Sequence, residues 1–322
     1  MKSAIAMNEF SLIAQFFKPL DLKSDEVLLG IGDDAACLRL SDGINLLVST
    51  DTLVSGVHFL SEWDAYDIAC RALMVNVSDM AAMAAKPCWI TLALTLPELD
   101  SQWLTLFAHG LKDSLNQLNM TLIGGDTTRG PLSITITVLG QAPEGQAISR
   151  RGAKPGDIIL VSGKLGAAAL AIKLLNREIP QQEKEELMQK LLHPKPRIDL
   201  IRFLRMYATA AIDISDGLGA DLNHICVASG VGACLNEDAI PTHSLLKKYL
   251  HGKAVDLALT GGDDYELCFT VPENKLPSLM NEFKTANLLC YPIGVIESAP
   301  GVRIKNGYNQ CNTLKPVGYT HF

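Results

Sequence analysis

Apolar residues change their spacing along the chain, and these changes predict a mixed α/β protein. Residues 9–17 carry apolar side chains at near-helical spacing, which predicts a short amphipathic helix. Residues 27–54 instead show short apolar runs separated by Gly and Asp, which predicts strands joined by turns. Residues 44–48 and 120–123 are two clear runs of this kind.

A longer helix is predicted to begin after Asp64, a good N-cap residue, with Asp67 in the first turn. The apolar residues that recur at helical spacing are expected to face inward: Ile68, Ala69, Ala72, Leu73, Val77, Met80, Ala81 and Ala84. Asn76 and Asp79 are three positions apart and therefore share a face of this helix. The alternative for Asp79 is an exposed polar edge.

The remaining pattern predicts two domains. Strands are predicted at 89–96 and 132–140, with a helix at 101–118 between them. The chain then becomes rich in Pro and Gly, and we place the domain boundary between residues 148 and 149. In the second half, strands are predicted at 158–162, 211–214, 266–271 and 290–295, and helices at 167–176, 182–192 and 276–286. This alternation predicts an α/β or α+β second domain.

Six short carboxylate clusters, each beside Gly, Ser or Thr, interrupt the apolar runs. They are Gly-Ile-Gly-Asp33-Asp34, Ser49-Thr50-Asp51-Thr52, Asn76-Val77-Ser78-Asp79, Gly124-Gly125-Asp126-Thr127-Thr128, Asp213-Ile214-Ser215-Asp216-Gly217 and Gly261-Gly262-Asp263-Asp264-Tyr265-Glu266. Most follow an apolar run, so we expect them where strands end. Gathered carboxylates repel one another unless a cation joins them, and hard oxygen ligands suit Mg²⁺, completed by water and substrate phosphates. The clusters of both halves are therefore expected to form a magnesium-dependent phosphoryl-transfer site.

Composition sharpens this hypothesis. The chain has 322 residues, a hydrophobic fraction of 48% and a formal net charge of −7, which together predict a well-buried globular protein. The acidic balance disfavours nucleic acid or an anionic membrane as a partner. It would also repel a phosphorylated substrate, so divalent cations are needed to bridge the two.

The cysteines and the N-terminus favour a cytoplasmic protein. The eight cysteines are scattered and form no C-x-x-C pair, which indicates reduced thiols and not a disulfide framework or a zinc site. Asn8 and Glu9 end the first apolar run too early for a signal peptide, and no stretch is long enough to span a bilayer.

Three other motifs point to different chemistry and are weaker. The run Gly30-Ile-Gly32-Asp-Asp-Ala35 matches the dinucleotide fingerprint, but a strand and turn follow it where a helix is required. Ser162-Gly-Lys164-Leu-Gly166 resembles a phosphate-binding loop without its first Gly and its Ser or Thr, so a plain strand-to-helix turn remains open. Ser215 and His224 lack the G-x-S-x-G context of a hydrolase.

Taken in order, the acidic clusters closely resemble those of the thiamine-monophosphate kinase family, within the superfamily of aminoimidazole ribonucleotide synthetase and selenophosphate synthetase. Gly152-Ala-Lys-Pro-Gly-Asp157 and the closing Gly318-Tyr319 complete the pattern, which covers nearly the whole chain. The resemblance implies an N-terminal α/β domain (1–148) that binds metal and ATP, with a mixed sheet that pairs with its twin in a homodimer. A ferredoxin-like α/β domain (149–322) follows.

The resemblance also implies an activity: ATP-dependent phosphorylation of thiamine monophosphate to thiamine diphosphate with several Mg²⁺ ions, by a phosphotransferase whose acceptor is a phosphate group. By matching position, the implied metal ligands are Asp34, Ser49, Thr50, Asp51, Asp79, Asp126, Asp213 and Asp216, of which Asp51, Asp126 and Asp213 are implied to be catalytic. The implied ATP contacts are Gly125, Asp126, Arg150 and Ser215. The implied contacts to thiamine monophosphate are His58, Asp263 and Tyr319. The family often has Glu at position 263, so Asp264 or Glu266 are alternatives for the acceptor contact.

The residues alone are consistent with this chemistry. A phosphate monoester is mostly deprotonated near neutral pH, since its second pKa is about 6, so transfer to it needs no general base. The task is to bring two polyanions together, which is electrostatic and positional work. His58 and Arg150 each keep a structural alternative, Arg150 as a solvated linker residue. A related ATP-dependent synthetase and a non-catalytic metal- or nucleotide-binding module remain the alternatives for the whole chain.

Overall fold

The computed structural model describes residues 9–20, 25–32, 34–308, 310–315 and 317–319. Asp33 of the first acidic cluster lies outside the described residues. The chain divides into two compact units, an N-terminal unit of Met1–Met80 with Ala85–Gly145 and a C-terminal unit of Ala81–Ala84 with Gln146–Phe322. The N-terminal unit thus ends at Gly145, and the C-terminal unit continues from Gln146.

The N-terminal unit begins with helix α1 (Glu9–Leu12), which continues as a π-helical turn and then a 3-10 turn up to Leu20. The elements that follow along the chain are β1 (Val27–Leu29), β2 (Cys37–Leu38), β3 (Ile44–Val54), α2 (Ala65–Ala82), β4 (Lys86–Leu96), α3 (Ser101–Leu118), β5 (Thr121–Arg129) and β6 (Ser133–Pro143). A mixed sheet has the strand order β3-β6-β4-β5, in which β4 and β5 are parallel. Strands β1 and β2 form a separate antiparallel ribbon.

Helix α2 begins where its sequence predicted. The Asp64 carboxylate accepts a hydrogen bond of 2.8 Å from the Tyr66 N–H, the arrangement of a helix N-cap. The eight apolar residues expected to face inward are all buried. Helix α3 has the predicted bounds, because Asp100 caps its first turn and Asn119 ends it in the left-handed conformation, φ 52°.

Two acidic clusters lie within strands, so the expectation that they would follow strand ends is wrong for them. Strand β3 continues through Ser49–Thr52 to Val54, and β5 continues through Gly124–Thr128 to Arg129. Thr and Val favour the strand conformation, and β3 and β5 are the outer strands of the sheet, where exposed carboxylates are tolerated. The expectation holds for Asp213, the last residue of its strand.

The C-terminal unit places helices around a larger sheet. Its strands are β7 (Ile158–Val161), β8 (Ala210–Asp213), β9 (Gly232–Asn236), β10 (Leu267–Val271), β11 (Tyr291–Glu297), β12 (Gly301–Lys305) and β13 (Cys311–Thr313). Its helices are α4 (Ala167–Leu174), α5 (Gln181–Leu192), α6 (Ile201–Tyr207), α7 (Leu218–Ser229), α8 (Ser244–Leu250), α9 (Ala254–Thr260) and α10 (Leu276–Thr285). The strand order is β13-β12-β9-β11-β7-β10-β8, and only the β12–β9 pairing within it is parallel. The predicted mixed α/β architecture is confirmed.

An apolar core fixes one side of this sheet. Phe203 of α6 and Phe283 of α10 pack together, with ring centroids 4.8 Å apart, against Phe269 of β10. Helices α6, α8 and α9 were not predicted because each has seven residues, too few for a clear helical periodicity. Strands β9, β12 and β13 were not predicted because they lack the continuous apolar run that marks β7 and β8. Among the described residues, no helix is both long enough and apolar enough to cross a bilayer.

Candidate active site

Strand β3 and helix α2 bring Ser49, Asp51 and Asp79 together. The Ser49 hydroxyl donates to the Asp79 carboxylate over 2.5 Å. The fully buried Asn76 fixes the register between the two elements, because its Oδ1 accepts from the Asp51 N–H at 3.1 Å and its Nδ2 donates to the Ala72 carbonyl at 2.8 Å. The three-residue spacing of Asn76 and Asp79 therefore places a carboxylate next to Asp51, and the exposed-edge alternative for Asp79 is wrong.

The two carboxylates repel each other. Asp51 is reached by solvent but is partly enclosed by protein atoms. This desolvation, followed by the charge of Asp79, raises the pKa of Asp51 to about 6. A divalent cation between the two would remove the repulsion, since both would then serve as anionic ligands.

Thr50 lies on the other face of the same strand. Successive side chains of a strand alternate between faces, so Thr50 and Thr52 point away from the side that carries Ser49 and Asp51. Their hydroxyl groups are instead 2.8 Å from those of Thr137 and Thr135 on β6. The structure therefore does not bring the Thr50 side chain to Asp51 and Asp79.

His58 follows β3 in a tight loop. Its Nδ1 accepts a hydrogen bond of 3.0 Å from the Val54 N–H, so in the neutral ring the proton resides on Nε2. The buried Arg71 of α2 donates from Nε to the His58 carbonyl at 3.3 Å. The loop thus presents His58 as a hydrogen-bond donor through Nε2.

Asp34, Gly125 and Asp126 line one cavity of about 630 Å³ in the N-terminal unit. Its apolar wall includes Ile13, Phe17, Ile31, Leu92 and Leu122. Gly125 has a φ of +153°, and a Cβ there would lie 1.9 Å from the Leu92 carbonyl oxygen, so only glycine fits this close approach of β5 to β4. The cavity therefore combines an apolar side with a carboxylate-bearing side.

Asp51 and Asp126 do not share one ligand position within this unit. They lie on the outer strands β3 and β5, with β6 and β4 between them. Three inter-strand steps separate them by roughly 14 Å along the sheet. Throughout the described parts of the chain, no three His, Cys, Asp or Glu side chains are close enough to hold a metal by themselves. One or two carboxylates completed by phosphate and water is the usual arrangement for Mg²⁺, and the Asp51–Asp79 pair fits it.

In the C-terminal unit, three predicted segments meet through main-chain hydrogen bonds. The Ser215 carbonyl accepts from the Asp263 N–H at 2.8 Å, and the Asp216 carbonyl accepts from the Tyr319 N–H at 3.2 Å. A Cβ on Gly262 would lie 2.0 Å from the Ser215 oxygen, which explains the glycine at that position. The structure therefore brings together Asp213, Ser215, Asp216, Asp263 and Tyr319.

The loop that carries Asp263 holds an uncommon backbone conformation. Asp263 and Tyr265 have φ values of +72° and +50°. Such strain persists only where the surroundings impose it, and it is concentrated at functional sites. Asp adopts the left-handed region more readily than most residues, so the shorter acid suits this loop where the family often has Glu.

Asp264, one alternative acceptor contact, is used inside the protein. Both its carboxylate oxygens accept from the Gly166 N–H, at 2.8 and 2.9 Å, and burial raises its pKa well above the usual value. The same hydrogen bond distinguishes between the two interpretations of the motif at residues 162–166. Since Asp264 occupies the Gly166 N–H at the start of α4, the segment is a strand-to-helix turn and not a phosphate-binding loop.

Glu266, the other alternative, is also engaged. Its Oε2 accepts from the Ser162 hydroxyl at 2.5 Å and from Arg197 Nη1 at 2.8 Å. Arg197 in turn makes a two-point ion pair with Asp199. Glu266 and Asp264 thus hold the β7–α4 turn.

The main chain of Arg150 is bonded to Ser229. The Arg150 side chain is exposed, its carbonyl accepts from the Ser229 hydroxyl at 3.1 Å, and the same hydroxyl accepts from the Gly152 N–H at 3.1 Å.

Asp221, in the first turn of α7, was not among the residues predicted from the sequence. Burial, followed by the charge of Asp216, raises the pKa of Asp221 to about 7.

Two family models together match most of the chain. The family model for the AIR synthase related protein, N-terminal domain, matches residues 32–142, and the model for its C-terminal domain matches residues 154–306. The chain belongs to the AIR synthase related family.

Similar proteins include thiamine-monophosphate kinases from several bacteria. The one from Salmonella typhimurium is 50% identical over 273 residues, which is 84% of each chain, and that from Haemophilus influenzae is 42% identical over 99% of each. Among solved structures, the thiamine-monophosphate kinase from Stenotrophomonas maltophilia has a TM-score of 0.85 at 44% identity, covering 91% of this chain and 95% of its own. AaThiL complexed with AMPPCP and TMP has a TM-score of 0.79 at 33% identity, covering 99% and 100%.

Proposed function

We propose that this protein is a thiamine-monophosphate kinase. It transfers the γ-phosphoryl group of ATP to a phosphate oxygen of thiamine monophosphate, breaks the bond to the bridging oxygen of ADP, and yields thiamine diphosphate. The observation that carries this proposal is that a chain similar to these kinases over almost its full length also presents the mutually repelling Asp51–Asp79 pair. A pair of this kind is suited to cations that accompany phosphates.

Seven of the eight predicted metal ligands fall into three groups, and Thr50, whose hydroxyl contacts Thr137 on the opposite face of β3, belongs to none of them. Asp51, Asp79 and the Ser49 hydroxyl form one group, and Asp34 and Asp126 at the cavity form a second. Asp213 and Asp216 form the third, in the C-terminal unit. The roughly 14 Å between Asp51 and Asp126 favours several Mg²⁺ ions along a phosphate chain over one shared ion. When bound, magnesium would neutralise phosphate oxygens that otherwise repel one another.

Nucleotide and acceptor contacts follow from the same arrangement. We assign Gly125, Asp126, Arg150 and Ser215 to ATP, and His58, Asp263 and Tyr319 to thiamine monophosphate. The Nε2 proton of His58 suits a phosphate oxygen, and the Asp263 carboxylate suits a cationic or N–H-bearing part of the acceptor. The acceptor phosphate is already deprotonated near neutral pH, so none of these residues has to remove a proton.

We also propose a homodimer and a cytoplasmic location. Within the described residues, β3 pairs with β6 on one side and exposes its other edge, together with Leu46 and Val48. An exposed apolar edge strand of this length favours pairing with a second copy.

All eight cysteines are free thiols, which is usual in a reducing compartment such as the cytoplasm.

The function is tested by measuring ADP release with thiamine monophosphate, thiamine or aminoimidazole precursors as acceptor, over a titration of Mg²⁺. We expect ADP release that depends on thiamine monophosphate and on Mg²⁺, with thiamine diphosphate as the product. Turnover of an aminoimidazole precursor instead would identify a related synthetase. Binding of ATP without any acceptor-dependent release of ADP would identify a binding module.

A further inference from the structure

Asp221 is a carboxylate outside the predicted site that is nonetheless bonded to it. It is 2% exposed and lies in the first turn of α7. Its Oδ2 accepts from the Asp216 N–H and from the Gly217 N–H, each at 3.1 Å. The side chain therefore reaches back over the turn that precedes its own helix.

This arrangement differs from an ordinary helix cap, in which the N-cap side chain accepts from N–H groups of the first helical turn. Gly217 occupies the N-cap position of α7, has a φ of +123° and no side chain to accept from the helix N–H groups. A Cβ there would lie 3.0 Å from the Leu259 carbonyl oxygen, so the usual Ser, Thr or Asp does not fit without a shift. Asp221 instead accepts from the N–H groups at and just before the N-cap, as the acidic residue of a capping box does for the N-cap N–H.

Both N–H groups and carbonyl groups of the turn of residues 215–217 make hydrogen bonds. Its N–H groups at Asp216 and Gly217 are taken by Asp221. Its carbonyl groups at Ser215 and Asp216 accept from the N–H groups of Asp263 and Tyr319. The segments that carry these two residues thus depend on where the 215–217 turn is held.

We propose that Asp221 is a positioning residue, which holds the 215–217 turn so that Asp216, Asp263 and Tyr319 take their places in the site. The part of this inference that concerns catalysis rests on the proposed function. Asp221 touches no substrate in this scheme and acts only through the turn. The Asp221 carboxyl group keeps an acceptor oxygen whether or not it is protonated. The positioning role therefore depends on the presence and position of this acceptor and not on the protonation state.

The test compares Asp221→Ala with a matched control, Asp157→Ala. Asp157 is 5% exposed and its Oδ2 also accepts two hydrogen bonds, from the Lys154 N–H at 3.0 Å and the Thr209 hydroxyl at 2.6 Å. Both variants delete a buried carboxylate, but only Asp221→Ala deletes one bonded to the 215–217 turn. Asp221→Asn keeps an acceptor oxygen and serves as the conservative variant.

Hydrogen exchange of the full chain without substrates is the first measurement. We expect the amides of Asp216, Gly217, Asp263 and Tyr319 to exchange faster in Asp221→Ala, to recover part of their protection in Asp221→Asn, and to stay unchanged in Asp157→Ala. If Asp221→Ala does not fold, Asp221→Ser takes its place, since the shorter side chain also withdraws the acceptor. Unchanged exchange at these four amides, or the same increase in Asp157→Ala, overturns the proposal.

Steady-state kinetics is the second measurement. We expect the KM for thiamine monophosphate and the Mg²⁺ concentration at half-maximal rate to rise by about tenfold or more in Asp221→Ala, since the change withdraws two hydrogen bonds from the turn and the loss of one bond to a charged group corresponds to about tenfold. The control should keep both values. Faster exchange with unchanged kinetic constants overturns the link between the turn and the site. A wild-type chain that shows the protected amides but does not use thiamine monophosphate overturns the proposed function instead.

Discussion

The two units present their acidic residues by different means. In the N-terminal unit Asp51, Asp79 and Asp126 stand on regular elements, β3, α2 and β5, and the Ser49–Asp79 side-chain bond links two of these elements, while Asp34 lies in a loop. In the C-terminal unit Asp213 ends a strand, and Asp216 and Asp263 stand on turns that are joined through main-chain N–H and carbonyl groups. We therefore expect the activity to be sensitive to side-chain charge in the N-terminal unit and to backbone freedom in the C-terminal unit.

The largest expected effect is that of Asp51→Asn on phosphoryl transfer. Loss of one carboxylate from the Asp51–Asp79 pair removes charge that holds the cation, so we expect kcat/KM to fall by about 10²- to 10³-fold, the scale of losing one preorganised electrostatic contact. Asp126→Asn should behave alike, and both variants should fold normally. The measurement is ADP release at limiting Mg²⁺.

The control for this prediction is Asp113→Asn. Asp113 is an exposed carboxylate of α3 that bonds Tyr66 and lies outside the three groups of predicted ligands. Near-normal rates for Asp51→Asn, or an equal loss in Asp113→Asn, would show that side-chain charge on β3 is not what the reaction requires.

The second effect concerns the backbone of the C-terminal unit. Gly262→Ala places a Cβ 2.0 Å from the Ser215 carbonyl oxygen, so the 261–266 loop must move away from the 213–217 turn. We expect a loss of roughly 1–3 kcal/mol in the free energy of unfolding, the usual cost of overpacking, and a higher KM for thiamine monophosphate. Chemical denaturation and initial rates check these outcomes.

Gly252→Ala is the matched control for the loop. A Cβ at Gly252 meets nothing within 4 Å, so this variant should keep both its stability and its KM. If Gly262→Ala also keeps its KM, close contact between the two loops is not needed for acceptor binding.

The third effect is the pH dependence of metal-free stability. The pKa of Asp51 is raised from 3.8 to about 6, so between these values the native state binds a proton that the unfolded state releases. Stability from this group is therefore present below pH 4 and is lost as the pH rises through 6. Because Asp51 is exposed, screening reduces the loss to about 1 kcal/mol.

Asp51→Asn removes this dependence. In the presence of EDTA, the variant should melt at a higher temperature than the wild type above pH 7, and its advantage should shrink towards pH 4. Thermal melts of both proteins across this range make the comparison. A constant difference at all pH values would contradict the assigned repulsion between Asp51 and Asp79.

The smallest effect is that of Ser78→Ala. Ser78 is fully buried in α2, and its hydroxyl is the buried side-chain polar atom without a hydrogen-bond partner among the described residues. Removing it should raise the free energy of unfolding by up to about 1 kcal/mol, since an unsatisfied polar group is deleted. Denaturant unfolding with unchanged kinetics would agree; reduced stability would mean that the hydroxyl has a bonding role.

The N-terminal unit was the more predictable of the two from sequence. Helix α2 followed from Asp64 and its periodic apolar face, and α3 from a similar pattern. The strand bounds were less predictable, because apolar periodicity stops at Val48 whereas the hydrogen bonds of β3 to β6 continue to Val54. Local pattern does not report a ladder that depends on a distant partner strand.

In the C-terminal unit, motifs identified the residues but not how they are held. Asp263 and Tyr319 were predicted by resemblance, whereas their main-chain bonds to the 215–217 turn depend on tertiary contacts. The sequence also did not predict that Asp264 and Glu266 make hydrogen bonds within the protein, because neighbouring acids in a sequence do not show which side chain turns inward.

Strand β3 carries Asp51, which is repelled by Asp79 of α2, and among the described residues its strand partner is β6. The hydroxyl contacts of Thr50 with Thr137 and Thr52 with Thr135 lie on either side of Asp51 along the strand, on the opposite face. Cross-strand threonine pairs of this kind contribute roughly 0.2–1 kcal/mol each. The two cross-strand contacts thus flank the position at which Asp51 is repelled by Asp79, and they hold β3 against β6 there.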